Sequence, residues 1–278
     1  MTGPILLASY PKSGNTWLRA LLAGLEHGRV DINDMLEQFT IASSRLLFDQ
    51  VMGVDSSDLT DAEVHRVRAD MLRRVAEFER DRWFLKVHDA RLPATPDAED
   101  LFPADVVRAV VHIVRDPRDV AVSWAHHTGR SIDVAIAQLA DPGQTLARST
   151  IRMSRQLPQF TSNWSRHVES WLGATDLAVH LVRYEDLLAD TTGALTAIAA
   201  FLGLEVDEAA IASTVEAASF SALRAQEERN GFRERRHNQD RFFRRGVAGG
   251  WRDTLSAAQT ARIESDHGPM MLRLGYLP

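Results

Sequence analysis

Residues 5–25 read ILLASYPKSGNTWLRALLAGL, and this stretch decides the fold class. Ile5 to Ser9 is a short apolar run of strand length. Tyr10-Pro11-Lys12-Ser13-Gly14-Asn15 has turn composition, and Thr16 to Leu25 has the spacing of a helix. A buried strand that runs through a polar turn into a helix is the opening unit of an α/β sheet. A secretory leader is the competing reading of so apolar an opening. Pro11, Lys12 and Arg19 interrupt it, and no basic segment precedes it.

The same alternation continues. Trp83-Phe84-Leu85-Lys86-Val87-His88 and Ala109-Val110-Val111-His112-Ile113-Val114 read as buried strands with polar ends. Asp116 and Pro117 stand as N-cap and first residue of the helix after the second strand. Leu177 to Val182 is a further strand, ending in Arg183-Tyr184-Glu185-Asp186. Thr60 and Glu63 form a capping-box pattern before a helical spacing of Val64, Val67, Met71, Val75 and Phe78. Helices are expected after Asp190 as far as Gly203, over 207–218 and over 256–265. Residues 27–58 show no firm period, and residues 128–165 are polar and Ser/Thr-rich with weak helical segments. The expected fold is α/β, a central, mainly parallel sheet flanked by helices, in one domain over 1–278.

Composition narrows the chemistry. The 278 residues are 45% apolar and 25% charged, enough for a sizeable core. The absence of cysteine excludes disulfides and thiolate chemistry, and fits a cytoplasmic location. No run of 18 apolar residues exists, so no membrane span is expected. A net charge of −6 argues against a nucleic-acid partner. Yet Arg224 to Arg252 hold nine arginines against Glu227, Glu228, Glu234 and Asp240, a local +5 that leaves −11 elsewhere. Such a run is either a solvated loop or a cover for a polyanion.

Of 32 basic residues only two, Lys12 and Lys86, are lysine. A chain that uses arginine wherever a generic positive charge suffices keeps lysine where a compact ammonium is needed. Both lysines end or follow strand-like runs, and ligands of open α/β sheets bind at the carboxyl ends of strands. The turn at Lys12 is not a Walker A loop, because Lys12 precedes Gly14 and there is no second glycine.

Four separated segments resemble the PAPS-dependent sulfotransferases, whose donor is 3′-phosphoadenosine 5′-phosphosulfate. Tyr10-Pro11-Lys12-Ser13-Gly14-Asn15-Thr16-Trp17 is similar to that family's phosphosulfate loop, and Leu85-Lys86-Val87-His88 to its lysine-x-histidine segment. Val114 to Ser123 resembles its 3′-phosphate segment, and Arg244-Arg245-Gly246-Val247-Ala248-Gly249-Gly250-Trp251-Arg252 its carboxy-terminal motif.

The resemblance implies a P-loop-NTPase-like architecture and PAPS as donor substrate. Lys12 with Ser13, Gly14, Asn15 and Thr16 would hold the phosphosulfate. Arg115, Ser123, Arg244, Arg245 and Gly246 would hold the 3′-phosphate. Trp17 and Phe220 would sandwich the adenine, with Tyr184 and Ser219 lining the pocket. His88 would be the general base, its ordinary pKa near 6.5 suiting neutral pH. Lys12 and Lys86 would neutralise charge at the transferring sulfur, with no metal. The acceptor implied is a small molecule with a hydroxyl. Asn15, Arg245 and Arg252 depart from the family's threonine and lysines, and Ala218 from a frequent threonine. Its dimer motif is poorly kept, so oligomeric state stays open. Two other readings stand beside this one: a nucleotide or small-molecule kinase, and a non-catalytic module that binds PAP (3′-phosphoadenosine 5′-phosphate) or another anion. His112, His167 and His180 read as satisfied polar residues, Trp124 and Trp251 as packing residues, and Asp119 as a helix-capping acid. Residues 27–58, 126–165 and 225–243 are the expected acceptor walls.

Overall fold

The computed structural model describes residues 3–78, 83–92, 100–148, 153–236 and 239–278. Residues 149–152 and 237–238, within the segments expected to wall the acceptor, lie outside the described residues. The chain packs into two compact units. The first comprises Met1–Tyr10, Thr40–His112 and Asp141–Leu181; the second comprises Pro11–Phe39, Ile113–Ala140 and Val182–Pro278.

The strands are β1 (Pro4–Ser9), β2 (Thr40–Ile41), β3 (Trp83–Val87), β4 (Ala109–Val114), β5 (Thr145–Leu146), β6 (Gln159–Phe160) and β7 (Val179–Arg183). Five of them form one sheet in the order β2-β3-β1-β4-β7. β3 runs parallel to both β1 and β2, with Leu7 opposite Lys86 and Ala8 opposite Val87. Every residue of β1 and β4 is buried, as expected of parallel strands covered on both faces. The α/β expectation is met, and the strand positions agree to within two residues.

In the first unit the helix Asp61–Ala76 begins with the expected capping box. It buries Val64, Met71, Leu72 and Val75 against Leu6, Leu85, Val87, Phe102 and Trp171. Phe78 lies beyond its last residue and is exposed, so the apolar spacing overran the helix by two residues. The stretch without a period holds the helix Arg45–Met52, and β5 and β6 form a small antiparallel pair.

In the second unit the helix Asn15–His27 follows the turn, and Pro117–Thr128 starts with Asp116 accepting from the Arg118 N–H. The helix Thr191–Leu202 stops at Gly203, as its glycine predicts. Two helices differ from expectation. Phe220–Asn230 lies inside what reads as a basic loop, because it buries only Leu223 and Glu227 and shows no apolar stripe. The last helix, Ala257–Arg273, continues past Gly268 and through Pro269. Among the described residues no helix is long and apolar enough to cross a membrane.

Candidate active site

Every residue expected to bind the donor belongs to the second unit. The loop after β1 is held in an unusual backbone shape. Lys12 has φ 71 and Gly14 has φ 106, and a Cβ at Gly14 would come 2.7 Å from the Tyr184 ring. Position 14 therefore needs glycine on two counts. Gly14 is the N-cap of the helix Asn15–His27 and supplies no side-chain cap, and the amide end of a helix favours an anion. Ser13 is fully buried, and its hydroxyl has no hydrogen-bond partner among the described residues. A buried hydroxyl in that condition calls for a ligand or a water. The Lys12 ammonium lies 4.5 Å over the Phe242 ring.

The start of this helix is tied to the basic segment. Arg19, fully buried, pairs with Glu234 at 2.8 Å, and Thr16 donates to the same carboxylate at 3.3 Å. Trp17 donates its indole N–H to the Ala218 carbonyl at 3.0 Å and meets the Tyr184 ring edge-on at 5.6 Å. Tyr184 is itself buried under Arg115, whose guanidinium sits 4.2 Å above its ring; burial pushes the phenol up. Tyr184 thus braces Gly14, Trp17 and Arg115 together.

The 3′-phosphate candidates come from two segments. Arg115 donates to the Val247 carbonyl at 2.8 Å and stands 3.8 Å from Asp119. Asp119 accepts from the Gly249 and Trp251 amides at 2.7 and 3.0 Å. It is therefore a cap for the carboxy-terminal turn rather than for its own helix, a role the sequence reading missed. Its carboxyl is raised by burial, against the opposing pull of Arg115 and those amides. Gly246, at φ 63, packs face to face with Phe220, leaving no room for a side chain. Arg244 is half-buried and has no acidic partner among the described residues. Burial lowers its pKa, and Arg245 and Arg115 lower it further by repulsion. Arg244 thus has two cationic neighbours, one of which, Arg115, stands beside an acid already bonded to two amides. The Ser123 hydroxyl, one turn into the helix Pro117–Thr128, makes no hydrogen bond among the described residues. Ser219 caps the helix Phe220–Asn230 by accepting from the Ala222 N–H.

Trp251 departs from a plain packing role, because Arg118 stacks on its indole at 4.0 Å and Arg252 at 4.6 Å. Trp124, buried, donates to Gln138 at 2.8 Å.

Lys86 and His88 belong to the first unit. Lys86 is half-buried on β3, and its carbonyl accepts from the Ala42 N–H. His88 follows β3 with Nδ1 2.8 Å from the Ser9 carbonyl oxygen and 3.2 Å from the Ser9 hydroxyl. The next residue is clamped. Asp89 receives both Nη groups of buried Arg68 at 2.8 Å and the Phe160 N–H at 3.1 Å, and Trp171 donates to its carbonyl.

Two histidines expected to be satisfied are not so in this way. His112 is fully buried with both ring nitrogens lacking hydrogen bonds among the described residues. It packs 5.7 Å from His167, which in turn meets Tyr10 edge-on at 5.4 Å. Burial drives His112 well below its ordinary pKa and His167 down to about 3, the His88 main chain pulling the latter slightly back. Both rings are neutral aromatic core. His180 is half-buried and lowered by burial.

The family model described as "Sulfotransferase domain" matches residues 2–275, running across both units. Sulfotransferase 2B1 of Mus musculus is 29% identical over 167 residues, covering 58% of this chain and 47% of the relative. The chain thus spans about half the length of the first curated relatives it matches. Sulfotransferase 1A1 of Bos taurus is 25% identical over 275 residues, covering 96% of the chain and 83% of the relative. Among solved structures, retinol dehydratase in complex with androsterone and inactive cofactor PAP aligns at TM-score 0.64 and 22% identity, over 96% of this chain and 80% of that one. A mouse sulfotransferase complexed with PAP aligns at TM-score 0.63 and 20% identity, over 98% and 84%. These two likenesses establish the fold.

Proposed function

The chain belongs to the sulfotransferase family, and from that membership we propose that it moves the sulfuryl group of PAPS to a hydroxyl of a small-molecule acceptor. The observation that carries this reading is the crowding of Arg115, Arg244 and Arg245. Like charges so placed are costly when the acid beside Arg115, Asp119, is already bonded to two amides, and a polyanion would neutralise them. A nucleotide with a 3′-phosphate at one end and a phosphosulfate at the other has that charge distribution.

In the proposed reaction the acceptor oxygen forms a bond to sulfur as the bond from sulfur to the phosphate oxygen breaks, and PAP leaves. The acceptor proton passes to His88. Lys12 and the loop amides hold the phosphosulfate, and Lys86 offsets charge on the transferring group. Trp17, fixed by its bond to the Ala218 carbonyl, and Phe220, fixed against Gly246, are proposed to flank the adenine. Catalysis is proposed to need no metal, since two ammonium groups supply the charge that a divalent cation supplies in phosphoryl transfer.

The test is transfer of labelled sulfate from PAPS in metal-free buffer across a panel of hydroxyl acceptors. Androsterone and retinol, ligands bound in structural neighbours, are sensible first members. Labelled product is the expected result. Phosphorylation of the same acceptors from Mg-ATP would establish a kinase instead, and PAP binding without turnover would establish a binding module.

A further inference from the structure

The parallel register of β1 with β3 sets Ala8 opposite Val87, and the next step along both strands sets Ser9 opposite His88. β1 ends at Ser9, and β3 ends one residue before His88. The His88 ring lies back against Ser9, with Nδ1 2.8 Å from the carbonyl oxygen and 3.2 Å from the hydroxyl. A carbonyl oxygen can only accept a hydrogen bond, so Nδ1 carries the proton. In a neutral imidazole the lone pair then resides on Nε2.

Ser9 is well suited to impose this choice. It is fully buried, and its main chain ends a fully buried strand. On the other side His88 is followed by Asp89, gripped by Arg68, Phe160 and Trp171.

We propose that Ser9 is a positioning residue that holds His88 as the Nδ1–H tautomer, so that Nε2 is the atom that receives the acceptor's proton. This rests on the reading of His88 as general base. When the hydroxyl proton moves to Nε2, the ring becomes an imidazolium and its Nδ1–H···O bond to Ser9 becomes charge-assisted. That bond strengthens as the reaction proceeds, which is the condition for a contact to accelerate the step. The orienting group is a main-chain carbonyl, which no substitution removes; the Ser9 hydroxyl is the half of the contact that mutation can reach.

The experiment is a long-range proton–nitrogen correlation spectrum of the full chain labelled with ¹⁵N-histidine, recorded where His88 is neutral. The His88 signals are assigned by their loss in His88→Gln. A protonated Nδ1 and a pyridine-type Nε2 are expected, and a protonated Nε2 overturns the proposal. Ser9→Ala is expected to lower kcat about three- to tenfold, the effect of one hydrogen bond, with donor KM unchanged. Ser9→Thr, which keeps the hydroxyl, is expected to recover most of that loss. Wild-type kcat in Ser9→Ala overturns the role of the hydroxyl, and the wild-type spectrum decides the tautomer even where Ser9→Ala does not fold. Undiminished turnover in His88→Gln would remove the base assignment itself, an outcome distinct from the wrong tautomer.

Discussion

Two regions of the molecule treat charge in opposite ways. Next to His88 in the chain, Arg68 and Asp89 form a buried two-pronged pair, and Arg91 pairs with Asp100 and Asp176. Around Arg244, by contrast, Arg115 and Arg245 repel its guanidinium and Asp119 is spent on two amides, and in the loop after β1 the Ser13 hydroxyl is buried without a hydrogen-bond partner among the described residues. Paired groups fix a scaffold, whereas like charges left together mark where a ligand supplies the missing sign.

The sharpest way to break this contrast is to remove the reacting groups. Lys12→Ala and His88→Ala are each expected to lower kcat by about 10²–10⁴-fold while circular dichroism stays native. Rates near wild type in either would detach that residue from the chemistry. Next come the paired charges. Asp89→Asn leaves the Arg68 guanidinium, 3% exposed, without its counter-charge, so a loss of about 3–5 kcal/mol is expected in urea unfolding. Arg244→Ala removes a cation that its neighbours repel, so stability should hold or rise slightly. A clear destabilisation by Arg244→Ala would erase the contrast. Arg115→Ala is expected to raise the donor KM by about 10–100-fold with a smaller effect on kcat, read from initial rates, because it removes a charged contact.

The smallest effect concerns pH. His112 and His167 have pKa values depressed by burial, the latter to about 3. Below about pH 6.5 the unfolded chain binds protons at these positions and the folded chain does not, so stability falls as pH drops towards 3. Asp119 and Glu185 in the other unit are raised by burial and act oppositely, gaining stability as pH falls. His167→Gln should flatten the acid loss of stability by up to about 1.4 kcal/mol per pH unit, measured by unfolding at pH 4 to 6.5. An unchanged slope would show that the buried ring does not set it.

Much of this was legible from residues alone, and the limits have physical causes. β1, β3 and β4 are continuous apolar runs, and their polar ends, together with the rarity of lysine, singled out Lys12, Lys86 and His88. The helix Phe220–Asn230 escaped because charge covers it nearly all round, so it has no stripe to detect. The extent of Ala257–Arg273 escaped because Gly268 and Pro269 read as a stop. The Asp119 cap on Gly249 and Trp251 joins residues 130 positions apart or more, beyond any local pattern. Ser9 escaped for a related reason: its bond to His88 depends on strand register, which periodicity does not reveal.

The central claim is that the Arg115, Arg244 and Arg245 cluster is a site for a nucleotide phosphate. Isothermal titration of PAP into the wild-type chain and into Arg244→Ala, in magnesium-free buffer, tests it most directly. The account predicts saturable binding to the wild type and affinity at least about tenfold weaker in the variant. Equal affinity in both proteins, or heat evolved only with Mg-ATP, would contradict it.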